Sequence, residues 1–201
     1  KAKTYNSHFK GSKNLADLFL DKNIISFLQI GSSAEYGKSK APHTELTKCD
    51  IKSSYAKAKF DAQNYLKKLN QRYSFRYNVI RFYQVYGPKQ NLNRFIPIVV
   101  FNCLKNRSFP SSEGKQSRDF LFIDDAVDAI FKVLNNKKSS NQIYNIGYGK
   151  PLNIKKLILK IVKFCKGGKP LYGKIKLRKD ESLLSYPSIL KARKKLGWKP
   201  K

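Results

Sequence analysis

Tyr55 and Lys59, in the stretch "SSYAKAKFDAQNYL" (53–66), stand four residues apart. On a helix that spacing puts both on one face. A free phenol has a pKa of about 10 and is a poor base at neutral pH, but a neighbouring ammonium favours the phenolate. Such a pair can take a proton from a substrate hydroxyl or return one, and a positively charged nicotinamide ring would reinforce the lysine. A serine hydroxyl can share a hydrogen bond with both phenol and substrate. Ser32 and Ser33 lie about twenty residues upstream, in "GSSAEYG" (31–37). Read alone, Tyr-x-x-x-Lys is also what a solvated helix face produces in a chain with 12 tyrosines and abundant lysine. "RDF" (118–120) has the same two readings, a surface ion pair or an arginine gripping a phosphate bidentately. "NIGYG" (145–149) reads as a glycine-shaped turn.

These residues need elements to hold them. "NIISFLQIG" (23–31) is a continuous apolar run ending in glycine, the pattern of a strand buried on both faces of a parallel sheet. Residues 53–69 read as a helix with Ser53 or Ser54 as N-cap. "YNVIRFYQVYG" (77–87) is a second buried strand, closed by Gly87-Pro88. The β–loop–α–β order predicts a doubly wound α/β sheet. Open parallel sheets bind ligands at the carboxyl ends of their strands, which is where "GSSAEYG" and "QVYGP" (84–88) fall. Leu15, Leu18 and Phe19 have helical spacing within 11–22. Downstream, the pattern predicts a helix over 94–105 and a polar loop over 106–117. A short strand and a helix capped by Asp124 or Asp125 follow within 118–136, then a strand over 142–149, an amphipathic helix over 153–165 and a short helix within 186–200.

The composition bounds the function. A chain of 201 residues that is 41% hydrophobic can bury one large core or two small ones, and 27% charge with periodic apolar stretches is not a disordered composition. No run approaches the length of a membrane span, and no signal-peptide pattern opens the chain. The formal net charge of +29 is a nucleic-acid binder's footprint. Yet the basic residues are mostly lysine, with eight arginines, and are spread along the whole chain. Nucleic acid is therefore not the expected partner; the same field would attract an anionic small substrate. Three scattered cysteines and two histidines exclude a disulfide framework and a metal cluster, and fit a reducing cytoplasm. With no methionine in the chain, the natural start is expected upstream.

"GSSAEYG", "YAKAK", "RFYQVYGP", "RDFLFIDD", "YNIGYG" and "LGWKP" together make the chain resemble, over essentially its whole length, the extended short-chain dehydrogenases/reductases, the NAD-dependent epimerase/dehydratase group acting on nucleotide sugars. The resemblance implies an α/β fold with a doubly wound, Rossmann-like parallel sheet that lacks its first βαβ unit, plus a smaller C-terminal α+β substrate-binding domain. Residues 1–90 and 117–148 would belong to the dinucleotide-binding domain, and 91–116 and 149–201 to the nucleotide-sugar domain. It assigns Tyr55 as catalytic base or acid, Lys59 as the cation that supports it and holds the nicotinamide ribose, and Ser32 as the hydroxyl partner. Tyr83 joins Tyr55 and Lys59 in the cofactor site. Ser33, Gln84, Arg118, Arg178 and Glu181 fall to the substrate, the arginines on its phosphates and Glu181 near its ribose. No metal is implied. The cofactor would be NAD or NADP, with NAD favoured, the partner a nucleoside-diphosphate sugar, and the assembly a cytoplasmic homodimer paired through the helices around 8–20 and 53–70.

The departures narrow the chemistry. The Gly-rich dinucleotide fingerprint is not in the chain, so the chain by itself is expected to be inactive. Gln84 replaces the usual Asn, and His8 replaces the Asn of the motif that here reads "HFKGS". The family's 4,6-dehydratases follow the catalytic hydroxyl residue with an acid pair, whereas Ser33 and Ala34 follow Ser32, and Glu35 is one place off. Dehydration needs that further acid and base. The expectation is a 4-epimerase or 4-keto-reductase of polysaccharide or deoxysugar biosynthesis. A 4,6-dehydratase is the alternative within the family, and a non-catalytic nucleotide-sugar or nucleic-acid binder the alternative outside it.

Overall fold

The structure, a computed structural model, describes residues 2–136, 139–178 and 181–201. Of the "LRKDE" stretch, Lys179 and Asp180 lie outside the described residues. The chain opens with α1 (Ala2–Tyr5), a π-helical turn (Asn6–Lys10) and α2 (Gly11–Leu18). β1 (Phe27–Ser32) follows, then a 3-10 turn (Ser33–Tyr36), α3 (Ser54–Tyr73), β2 (Tyr77–Phe82) and β3 (Gln84–Tyr86). Next come α4 (Phe95–Leu104), β4 (Ser108–Pro110), β5 (Ser117–Arg118), β6 (Phe120–Phe122) and α5 (Ile123–Asn135). β7 (Gln142–Ile146), β8 (Leu152–Asn153), α6 (Ile154–Cys165), β9 (Lys169–Leu171), β10 (Leu184–Ser185) and α7 (Leu190–Leu196) complete it.

β1, β2 and β7 form a parallel sheet in that order, with Ser32 opposite Phe82 and Phe82 opposite Ile146. Their carboxyl ends thus share one edge. β2 reads as a run because Tyr77 to Arg81 are all buried, as a strand covered on both faces requires. Helices pack on both sides. Leu66 and Leu69 of α3 join Val79, Phe75 and Ala16 in one core. Ala126, Ala129 and Val133 of α5 meet Ile80, Tyr144, Ile146 and the fully buried Trp198 in a second. A third core sits apart from the sheet, where Val99 and Cys103 of α4 meet Phe109, Ile154 and Ile158.

Two sequence expectations change in detail. The run 77–87 is two strands, because the chain leaves the main sheet at Tyr83: its N–H bonds Ile146 O (3.2 Å) while the Gln84 N–H bonds Asp119 O (3.0 Å), so β3 pairs with β6. Neither Asp124 nor Asp125 caps α5, whose N-cap is Phe122. Asp125 instead ties down the C-terminus, its main-chain oxygen accepting from Trp198 Nε1 (3.1 Å) and its carboxylate from the Lys201 N–H (3.2 Å). Leu15 and Leu18, at helical spacing on α2, are more than half exposed, at 52% and 62%. The three cysteines are free thiols. Among the described residues no helix is long and apolar enough to cross a membrane, and no cluster of three or more metal-ligating side chains occurs.

Candidate active site

At the carboxyl ends of β1 and β2 lies a cleft of about 1100 Å³. Ser32, Ser33, Tyr55, Tyr83, Gln84, Arg118, Arg178 and Glu181 all line it, together with His8, Lys52 and Arg94. Lys59 does not line it. Its ammonium, on the buried side of α3, donates to Ile30 O of β1 (2.8 Å) and sits 5.8 Å from the Tyr55 ring centroid. Burial lowers the Lys59 pKa, with Glu35 opposing. Tyr55 and Lys59 reach this place because Ser53 caps α3, its hydroxyl accepting the Ala56 N–H (3.1 Å). The first turn of the helix is thereby set against the end of β1.

Ser32 is held from behind by a buried ion pair. Its N–H donates to Glu35 Oε1 (2.9 Å), and its own hydroxyl accepts the Ala34 N–H (3.2 Å), which starts the 3-10 turn. Glu35 is fully buried, and its other oxygen accepts from Arg81 Nε of β2 (2.8 Å). Burial pushes the Glu35 carboxyl upward, with Arg81 and the Ser32 N–H pulling it back. Arg81 also donates to Gln63 Oε1 of α3 (2.9 Å) and to the Tyr36 hydroxyl (2.9 Å). One guanidinium therefore ties the Ser32 strand end to the helix that carries Tyr55. Gly31 leaves the room: a Cβ there would stand 2.9 Å from Glu35 Oε1 and 3.1 Å from Arg81 Cγ.

The network continues to the far wall. The Tyr36 hydroxyl donates to Asn145 Oδ1 (2.8 Å), and Asn145 Nδ2 donates to His43 O (3.0 Å). His43 Nε2 contacts Ser39 O (3.0 Å) and Nδ1 contacts the Tyr83 hydroxyl (2.9 Å). A carbonyl only accepts, so Nε2 carries the proton and Nδ1 accepts from the Tyr83 phenol. Burial lowers the His43 pKa and keeps the ring neutral. Tyr83 thus spends its hydroxyl on the interior and turns to the cleft otherwise.

Arg118 and Asp119 part company. Arg118 Nη2 donates to Glu181 Oε1 and Ser182 O (both 2.7 Å), and Arg178 Nε is 3.8 Å from the second Glu181 oxygen. Glu181 therefore gathers both arginines in the wall of the cleft. Asp119 is fully buried and accepts backbone N–H bonds from Tyr148 (2.7 Å), Gly149 (2.6 Å) and Lys150 (3.2 Å). Gly147 is obligatory there, since a Cβ would meet Asp119 Oδ1 at 2.6 Å. The reading of "RDF" as an ion pair between Arg118 and Asp119 does not hold, because each side chain takes a partner elsewhere.

Burial pushes the Asp119 pKa up to about 6, the three N–H bonds opposing. A carboxyl raised above its unfolded value of about 3.9 binds its proton more tightly in the folded state, so its contribution to stability falls as pH rises from about 4 to about 6. In Asp119→Asn that component is expected to vanish, flattening the pH dependence of the thermal midpoint over this window by on the order of 2 kcal/mol. Thermal melts at several pH values read it directly.

Residues 1–147 match the NAD dependent epimerase/dehydratase family, and the chain belongs to that family. It is 35% identical over 154 residues to a putative UDP-glucose 4-epimerase of Methanocaldococcus jannaschii, covering 74% of this chain and 48% of that protein. It is 33% identical over 128 residues to the CDP-abequose synthase of Salmonella typhimurium, covering 60% of this chain and 42% of that one. Its structure superposes on the UDP-glucose 4-epimerase of Thermotoga maritima, solved with UDP-glucose, at a TM-score of 0.93 and 25% identity. That match covers 100% of this chain and 66% of the other. The chain spans about half the length of the curated relatives it matches.

Sequence reasoning reached the cleft walls and missed what lies behind them. Arg81 is a plain member of a strand pattern, and Glu35 reads only as an acid one place off the dehydratase position. His43, which orients Tyr83, carried no spacing signal at all.

Proposed function

We propose that the chain is the catalytic and substrate-binding part of an NAD(P)-dependent nucleotide-sugar 4-epimerase or 4-keto-reductase. The observation that carries this reading is the lining of the cleft, which brings Ser32 and Tyr55 together with Arg118 and Arg178. A nucleoside-diphosphate sugar has groups that match both sets, a hydroxylated ring and a pyrophosphate. The arginines suit the phosphates, exchanging the Glu181 carboxylate for phosphate oxygens. Gln84 and Ser33 are placed to bond the sugar or its phosphates.

The residues present fit the nicotinamide end of the cofactor. Lys59 uses one ammonium proton on Ile30 O, leaving two for the hydroxyls of a ribose. The bound cofactor would accept hydride from sugar C4 or return it. Tyr55 takes or gives the proton of the C4 hydroxyl, and Ser32, its backbone fixed by Glu35, shares a hydrogen bond with that hydroxyl. NAD is favoured over NADP on the resemblance alone. The choice between epimerase and reductase over dehydratase rests on acid supply. Among the described residues lining the cleft the one carboxylate is Glu181, paired with Arg118 and Arg178, and Glu35 is buried against Arg81.

On this reading residues 1–90 and 117–148 belong to the dinucleotide-binding domain, and 91–116 and 149–201 hold the nucleotide sugar. The separate α4–α6 core and the β4–β9 pairing support the second unit. The exposed Leu15 and Leu18 of α2 support homodimer pairing through the helices around 8–20 and 53–70. The test joins the chain to the family's dinucleotide-binding segment and supplies NAD or NADP with UDP-, CDP- or dTDP-hexoses. Inversion or reduction at C4 is expected. A 4-keto-6-deoxy product would replace the reading by dehydration, and turnover of none of them would favour a binding protein.

A further inference from the structure

Residues Asn6–Lys10 form a π-helical turn inside an otherwise continuous helix. The flanking residues keep helical dihedrals (Tyr5 −61°, −48°; Gly11 −59°, −49°), so the helix is widened, not broken. Widened turns recur at functional sites because they redirect one side chain. His8 stands at the middle of this one. Its half-buried ring lines the cleft and meets the Tyr55 ring in a perpendicular contact, with centroids 5.0 Å apart at 84°. Tyr55 is therefore flanked by two basic groups, His8 and, 5.8 Å from its centroid, the Lys59 ammonium.

We propose that His8 is a positioning residue for Tyr55, holding the phenol ring in the cleft and passing its own change of charge to that ring. The proposal rests on the reading of Tyr55 as the acid–base group of the site. α3 presents Tyr55 and Lys59 to the imidazole, and the end of β1 and the 3-10 turn after it supply Ser32 and Ser33 to the same cleft. Lys52 also shares the cleft and pairs with Asp50 at 2.7 Å. Within the helix, Ser12 Oγ donates to His8 O (3.0 Å) and anchors the turn. Burial first, and then the Lys59 charge, hold the imidazole below the ordinary histidine value. At neutral pH it is an uncharged ring that packs on Tyr55. In acid it becomes a second cation beside Lys59, and the packing that suits the neutral ring is lost.

The chain has two histidines, and the other, His43, is buried with both ring nitrogens engaged, so the His8 imidazole can be followed by NMR in this chain itself. With ring-labelled tyrosine and Tyr55→Phe for assignment, the Tyr55 signals are expected to move with the midpoint of the His8 titration. In Lys59→Met that midpoint is expected to rise. Tyr55 signals that stay flat through the His8 titration, or a His8 midpoint indifferent to Lys59→Met, overturn the proposal. In the chain joined to a dinucleotide-binding segment of the family, His8→Ala is expected to lower kcat about tenfold or more with KM little changed, the size of effect that misplacing a reacting group produces. His8→Phe is expected to recover most of that loss while removing an inflection from the acid side of the profile. A kcat unchanged in His8→Ala also overturns the proposal. Tyr55 signals that follow the His8 titration in a protein that turns nothing over would sustain the positioning contact and overturn the acid–base reading instead.

Discussion

Tyr55→Phe is expected to lower turnover about 10²- to 10⁴-fold, the usual worth of a positioned acid–base group, with the affinity for nucleotide sugar nearly unchanged. The substitution removes one hydroxyl and keeps the ring. The perpendicular packing on His8 and the place beside Lys59 both depend on the ring, so they are retained. The arginines that would bind the pyrophosphate are held by Glu181 and have no contact with the Tyr55 hydroxyl among those the structure shows. A loss confined to kcat separates proton transfer from binding. A parallel loss of both would mean that the phenol holds the ligand and does not transfer a proton. Steady-state kinetics beside calorimetric titration distinguish the two.

Arg81→Met is expected to be the most destabilising single change near the cleft, by about 3–5 kcal/mol. Both partners of the Arg81–Glu35 pair are almost wholly buried, and removing the guanidinium leaves a carboxylate in the interior facing only the Ser32 N–H. Gln63 and the Tyr36 hydroxyl lose a donor as well. For a chain of this size the cost corresponds to roughly 6–20 °C in the melting midpoint. Its pH dependence has a definite sign. Burial already pushes the Glu35 carboxyl upward, and without Arg81 to oppose it the group takes a proton more readily. The deficit is therefore largest at neutral and alkaline pH and shrinks as pH falls. Arg81→Met combined with Glu35→Gln, which leaves no buried charge, is expected to recover part of the loss. Melts of the two variants from acid to alkaline pH check both statements. A deficit that grows in acid would contradict the role given to Glu35.

What sequence could show was set by chemistry that repeats locally. Tyr55 and Lys59 declare themselves by helical spacing, and Ser32 by standing where an apolar run ends. Those signals span a few residues and survive without knowledge of the fold. The first two strands of the parallel sheet followed from the same source, since buried parallel strands read as unbroken apolar runs. The supporting contacts had no such trace. Arg81 and Glu35 are 46 residues apart, and Asn145 is 109 from the Tyr36 hydroxyl it accepts from. Asp119 and the glycine turn it holds were both visible as motifs, but a gap of 29 residues hid that one exists for the other. The π-helical turn at Asn6–Lys10 was invisible for a different reason: its residues suit an ordinary helix, and only packing on α3 shows the widened register.

The most direct test of the central claim is an NMR analysis of product from a nucleoside-diphosphate hexose incubated with NAD(P) and the chain joined to a dinucleotide-binding segment of the family, wild type beside Tyr55→Phe. The account predicts a change confined to C4 in the wild type, and its near-complete loss in Tyr55→Phe. A 4-keto-6-deoxy sugar, or a C4 change that persists undiminished without the Tyr55 hydroxyl, would contradict it.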